Sequence, residues 1–241
     1  MSAFQMTKEY VLDIGHIDTK GMARPSAIVE FMQDIATCHA EVMGLSGEWL
    51  AEKKAFWVLS RLKYQMKRPL RPHETIRLTT LAREIRGASW YRDFVIEAEE
   101  GIIGHALTIW AIVNLETRRL MRPKVLGLGF DKQDTGFTET LKAIRSDELE
   151  PCFDRVVRYS DIDVNRHLNN VKAVDILSDA FGLETDEKRW VSQLQVNYIA
   201  ETICGAVLNI RRGAGTANSL CVSAFEGEKE KVQAEVIFST L

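Results

Sequence analysis

Residues 159–170, YSDIDVNRHLNN, bring Asp161, Asp163, Asn165, His167, Asn169 and Asn170 into one short stretch. Alternate side chains of an extended segment share a side, so Asp163, Asn165 and His167 can converge on one space. A carboxylate, an amide and an imidazole can hold a cation, or they can position a water and move its proton. The cation reading fails. Asp161-x-Asp163-x-Asn165 opens like a calcium loop, but such a loop needs glycine at its sixth position and glutamate at its twelfth. Here those positions hold Arg166 and Lys172. No metal or other cofactor is expected, and proton handling is the chemistry left.

The stretch leads into apolar residues at helical spacing, Val171, Val174, Leu177 and Phe181, closed by Gly182. Asn169 or Asn170 suits the cap of that helix. A helix N-terminus offers unbonded N–H groups and a positive dipole end, so Asn169 and Asn170 mark a place where an oxyanion could be received. Taken singly, each polar residue has an ordinary explanation, since Asp and Asn before a helix are turn and capping residues. The case for chemistry rests on their coincidence.

Length and composition bound the alternatives. The 241 residues are 46% hydrophobic and 27% charged, with a net charge of −3, which argues against wholesale nucleic-acid binding. No apolar run approaches the ~18 residues of a membrane span, and the start, MSAFQMTKEYVLDIG, does not read as a secretory signal. Cys38, Cys152, Cys204 and Cys221 lack metal-type spacing. Free thiols in a reducing compartment, the cytoplasm, are the expectation.

The same order of elements occurs twice. In the first half a strand over 9–15 precedes a helix over 25–44, with Pro25 at its first position and Ile28, Phe31, Met32, Ile35 and Ala36 at helical spacing. Strands follow over 55–66, 75–85, 89–99 and 101–116. The second half repeats this with a strand over 154–160, the helix after Asn170, and strands over 189–200, 206–212, 219–228 and 231–240. A shift of 145 residues lines up Ile17-Asp18 with Ile162-Asp163, and Gln33-Asp34 with Ser178-Asp179. The later strands align at a shift of about 132, because the first half has a longer helix-to-strand connection over 45–54. Residues 127–151 are polar and glycine-bearing, which suits a linker. A sheet and a helix of this order bury each other only if the sheet wraps the helix. The expected fold is α+β, a tandem hot-dog with two antiparallel sheets, each around a long central helix. Residues 1–126 form the first unit and 152–241 the second.

Function should lie where the halves disagree. Opposite Asp163, Asn165, His167 and Asn170 stand Asp18, Lys20, Met22 and Pro25, and opposite Glu201 stands Pro69. One active site per chain follows, in the second half.

DIDVNRHLNNVKAVDIL (161–177) closely resembles the Asp-x-Asn-x-His-x-Asn-Asn-x-Lys motif of plant and bacterial acyl-acyl-carrier-protein thioesterases. FWVLSRLKYQ (56–65), IWAIVNLETRRLMRPK (109–124) and VNYIAE (196–201) resemble further segments of that family. The resemblance implies a double hot-dog hydrolase that cleaves the thioester of fatty acyl-acyl carrier protein. By position, Asp163, Asn165, His167 and Glu201 match the family's proposed catalytic set. The plant enzymes carry a cysteine directly after the glutamate, where this chain has Thr202. Cys204 lies close by, but strand parity turns it away from Glu201, and a buried structural thiol is expected.

On this reading Glu201 activates water, Asn165 and His167 assist, and Asp163 orients them. Met32, Ala36 and Trp57 are candidates for the wall of an acyl pocket in the first half. An acidic carrier protein calls for a basic docking surface, and Lys63, Lys67, Arg68, Arg118, Arg119 and Arg122 are the candidates. A homodimer is compatible with the pattern. The rivals are a thioesterase acting on acyl-CoA and a non-catalytic acyl-binding module of the same fold.

Overall fold

The computed structural model describes residues 5–122, 141, 143–146, 148–215 and 219–241. The expected linker, 127–151, falls largely outside them. In the first half β1 (Gln5–Val11) leads to α1 (Pro25–Val42), a short α2 (Gly47–Glu52), β2 (Ala55–Met66), β3 (Thr75–Arg86), β4 (Ser89–Ala98), β5 (Gly101–Asn114) and the two-residue β6 (Leu120–Met121). The second half runs β7 (Glu150–Val156), α3 (Asn170–Ser178), β8 (Arg189–Tyr198), β9 (Val207–Ala214), β10 (Leu220–Glu226) and β11 (Lys229–Thr240).

The strands form one antiparallel sheet in the order β1-β3-β4-β5-β2-β8-β11-β10-β9-β7, with β6 beside β5. The two expected sheets are therefore continuous. β2 and β8 join them, from Arg61 opposite Asn197 to Gln65 opposite Gln193, so each half covers an edge that the other would leave bare. The sheet curves around both helices. Ile28, Phe31, Met32 and Ile35 of α1 share one apolar core with Ala173, Val174 and Leu177 of α3. Polar contacts also tie the helices together: Asn170 Nδ2 donates to Gln33 Oε1 at 2.8 Å, and Arg24 approaches Asp175 at 3.8 Å.

α1 stops where the sequence predicts, with Gly44 in the left-handed region at φ 77°. α3 is shorter than expected. It ends at Ser178, and the chain turns through Asp179 and Ala180 so that Phe181 reaches the core from beyond the helix. The connection over 45–54 contains α2, which sequence periodicity missed. Ser46 caps α2 by accepting from Trp49 N–H at 3.3 Å.

Candidate active site

Between β7 and α3 the chain makes a tight loop, bridged between Ile162 and Leu168. Asp163 organises it. Its Oδ1 accepts from the backbone N–H groups of Asn165 at 2.8 Å and His167 at 3.2 Å. Its backbone N–H donates to His167 O at 2.9 Å, and its O accepts from Arg166 N–H at 3.0 Å. The turn forces Arg166 to φ 65°, a left-handed conformation that costs a non-glycine residue about 1–2 kcal/mol. One step back, buried Asp161 accepts from Arg158 N–H and pairs with Arg155 at 3.1 Å. The loop therefore meets the helix in a fixed register.

Glu201 lies just beyond β8, in the irregular stretch after Tyr198 rather than on the strand itself. That stretch is held by its backbone. Ile199 and Ala200 both donate to Lys231 O, at 2.9 and 3.1 Å, and Thr202 O accepts from Leu168 N–H at 2.8 Å. The last bond locks the carboxylate-bearing segment to the Asp163–His167 loop. As a result His167 Nε2 stands 3.2 Å from Glu201 Oε2. Arg118 Nη1 reaches the same carboxylate from the first half, at 3.1 Å to Oε1 and 3.4 Å to Oε2.

These groups face a cavity of about 510 Å³ at the seam of the two halves. Asp163, Asn165, His167, Asn170 and Glu201 line it from the second half, and Trp57 and Arg118 from the first. Asn165 is exposed and lines the cavity, with its N–H bound to Asp163. Tyr198, which sequence reasoning passed over, also lines the cavity and donates its hydroxyl to Asn170 O at 3.0 Å. Burial pushes its phenol well above the usual range, so it stays a neutral donor that fixes the start of α3.

Several expectations need correction. Asn169 is not an oxyanion donor. Its N–H is given to Asp161 O at 2.8 Å, and its side chain caps α3 by accepting from Val171 and Lys172 N–H. Asn170 is the first residue of α3 and lines the cavity. Cys204 is exposed in a turn with Gly205, not a buried strand thiol, because β8 has already ended. Arg118 lines the seam cavity and pairs with Glu201. Arg68 is bound to Glu74 and Glu100, and Lys67 Nζ to Ile102 O at 2.7 Å. Arg119 and Arg122 are exposed, while Lys63 is half-buried in the middle of β2.

A second cavity, of about 190 Å³, lies between α1, α2 and the concave face of the first-half sheet. Ala36, Trp57, Trp90 and Trp110 are among its walls. Trp57 lines both cavities. Met32 lines neither described cavity and is packed in the core at 1% exposure. At the place in the first half equivalent to the seam site only about 20 Å³ is open, beside Lys20, Met22 and Pro69. Lys20 Nζ is turned onto the carbonyls of Asp186 and Arg189 there, and Met22 is fully buried. That position is plugged.

A sheet wrapped about two helices, with a carboxylate–imidazole pair at one seam and the equivalent place in the other half filled, is a double hot-dog. The N-terminal-domain model of the acyl-ACP thioesterases matches residues 4–124, and their C-terminal-domain model matches residues 147–239. The chain belongs to the acyl-ACP thioesterase family. A palmitoyl-acyl carrier protein thioesterase of Gossypium hirsutum is 24% identical over 74% of this chain and 47% of its own length. An acyl-carrier-protein hydrolase of Cuphea viscosissima is 25% identical over 87% of this chain and 53% of its own. The chain thus spans about half the length of these relatives, both of which are chloroplastic. Among solved structures, an acyl-ACP thioesterase from Bacteroides thetaiotaomicron superposes with a TM-score of 0.88 at 24% identity, covering 99% of this chain and all of that one. The 12:0-ACP thioesterase from Umbellularia californica superposes at 0.79, with 19% identity and 98% of both chains covered.

Proposed function

We propose that this chain hydrolyses the thioester of fatty acyl-acyl carrier protein, releasing free fatty acid and the holo-carrier. The observation that carries the reading is the 3.2 Å approach of His167 to Glu201 on the wall of the seam cavity, in a chain of this family. Glu201 takes a proton from water as the water oxygen attacks the thioester carbonyl. Arg118 spans both carboxylate oxygens and fixes their direction, while His167 holds the other side. The oxyanion is received by the Asn165 amide and the Asn170 N–H. Collapse of the intermediate breaks the C–S bond. A thiolate leaves readily because a thiol pKa is about 8.5, and the proton on Glu201 returns through His167 to the sulfur. Asp163 acts through the loop geometry and touches no reacting atom.

The acyl chain would pass Trp57 into the first-half cavity, with Ala36 on its wall. The carrier would approach the basic rim, where exposed Arg119 and Arg122 follow Arg118 in the chain and Lys229 lines the cavity mouth. The test is thiol release from acyl-carrier-protein substrates of graded length, beside the matching acyl-CoA series. Release from the carrier-protein series at higher kcat/KM is the expected result. Turnover of the CoA series alone would overturn the choice of carrier, and no release from either would overturn hydrolysis.

A further inference from the structure

The first-half cavity is not apolar throughout. Its sheet wall runs from Trp57 on β2 to Trp110 on β5 and Trp90 on β4, where Trp90 pairs with Trp110. The next residue of β4 on the same face is Arg92, which also lines the cavity. Arg92 Nη1 donates to His39 Nδ1 of α1 at 2.7 Å and to Thr80 Oγ1 of β3 at 3.1 Å. Neither of these two partners is a carboxylate, and both are met by one nitrogen of a fork with five N–H donors. Among the described residues no carboxylate lies within ion-pair distance of Arg92. Asp93, next in the chain, pairs instead with Arg83 at 3.4 Å. Loss of water pushes the Arg92 guanidinium down to about 10, so it remains charged at neutral pH.

Glu41 lines the same cavity but, among the described residues, does not pair with Arg92, and a half-buried guanidinium with no carboxylate in ion-pair range is favoured where it meets an anion or a strong dipole. A wall meant only for hydrocarbon would be filled more cheaply by leucine or methionine. If the cavity takes the acyl chain, the guanidinium faces its distal part, two strands away from Trp57. We propose that this site accepts acyl chains bearing an acceptor oxygen (hydroxyl, keto or carboxylate) at the end distal to the thioester, and that Arg92 receives that oxygen. This rests on the thioesterase reading for the chain's route, but not for its chemistry.

The experiment uses non-hydrolysable N-acyl amide analogues of the substrate arm, matched in length and ending in methyl, ω-hydroxyl or ω-carboxyl. Binding is read by quenching of the cavity tryptophans. The wild-type protein is expected to bind an oxygen-ended analogue at least about tenfold more tightly than its methyl partner, the scale of one charge-assisted hydrogen bond. Arg92→Met should reverse that order. Equal or tighter binding of the methyl-ended analogue by wild type overturns the proposal, and this comparison stands even if the variant fails to fold. The oxygen preference in binding, with no thiol released from any carrier thioester, would sink hydrolysis and leave the role of Arg92 intact. Ready turnover of methyl-ended carrier substrates without that preference would do the opposite.

Discussion

Asp18 and Asp163 perform the same act in loops of the two halves. Asp163 Oδ1 accepts from the N–H groups of Asn165 and His167, and Asp18 Oδ1 accepts from those of Lys20 and Met22 at 2.9 and 3.0 Å. The left-handed position is Gly21 in one loop and Arg166 in the other. One loop frame thus presents Asn165 and His167 at the seam site, and Lys20 and Met22 at the plugged one. Removing either carboxylate by alanine should cost about 1–3 kcal/mol of stability, seen as a lower urea midpoint. Only Asp163→Ala should also lower kcat, by about tenfold or more, and Asp163→Asn, whose amide oxygen can still accept, should recover most of it. An equal loss of kcat in Asp18→Ala would show that the effect is on the fold and not on the site.

Glu201 carries the larger expectation. In the proposed mechanism Glu201 is the general base, and general-base help is worth about 10²–10⁴-fold. Glu201→Ala should therefore lower kcat by at least about two orders of magnitude with KM nearly unchanged. Oxygen-18 supplied as labelled water should enter the fatty acid directly in a single turnover. Label found in the protein carboxylate would point to an anhydride intermediate instead.

Docking should be legible in salt dependence. With Arg118 committed to Glu201, the proposed carrier surface consists of exposed Arg119, Arg122 and Lys229. Charge reversal at Arg119 and Arg122 should lower kcat/KM for the carrier-protein substrate and flatten its fall with ionic strength, while sparing a small thioester analogue. Identical salt curves for the two substrates would remove the patch from carrier recognition.

Periodicity placed α1 and the starts of β2 to β5 well, because their apolar faces repeat at the helical or strand interval. It erred twice in the same way. β1 and β7 were expected over 9–15 and 154–160, yet they lie at Gln5–Val11 and Glu150–Val156. Leu12 and Val157, which extend each apolar pattern, are fully buried just past the strand ends. They plug the core where the chain turns into short 3-10 segments, Ile14–His16 and Tyr159–Asp161. That Asp163, Asn165 and His167 line one cavity follows from their close, alternating spacing. The place of Arg118 does not, since its partner Glu201 is 83 residues away and in sequence it looks like one member of a basic run.

Ala36 and Met32 separate a wall from a core. Ala36 lines the first-half cavity and Met32 does not. Ala36→Trp should shorten the preferred acyl chain by filling space, with little change in stability. Met32→Trp should overpack the core and cost about 1–3 kcal/mol, with no directed change in product length. A product profile unmoved by Ala36→Trp would take the acyl chain out of this cavity.

Asp34 and Asp179 occupy equivalent places in the two halves and should respond to acid with opposite sign. Partial burial pulls Asp34 upward, but hydrogen bonds from Lys8 and Tyr10 outweigh it and hold the carboxyl below its ordinary value. Its contribution is present above the unfolded value of about 3.9 and is lost as pH falls through the lower folded value. Asp34→Asn should therefore be less stable than wild type at neutral pH, with the difference closing in acid. Asp179 is raised, first by burial and then by the charge of Asp175, with Glu184 adding to this and Arg155 opposing it. Its ionised form is disfavoured in the folded state, so wild type gives up stability as pH rises through the raised value. Asp179→Asn should be more stable than wild type at neutral pH, and that advantage should shrink as pH falls and vanish below about 3.9. Urea midpoints followed from about pH 7 down to about pH 3 read both signs in one experiment. Parallel curves for the two variants would mean that the paired lysine and tyrosine in one half, and the crowded carboxylates in the other, do not set these titrations.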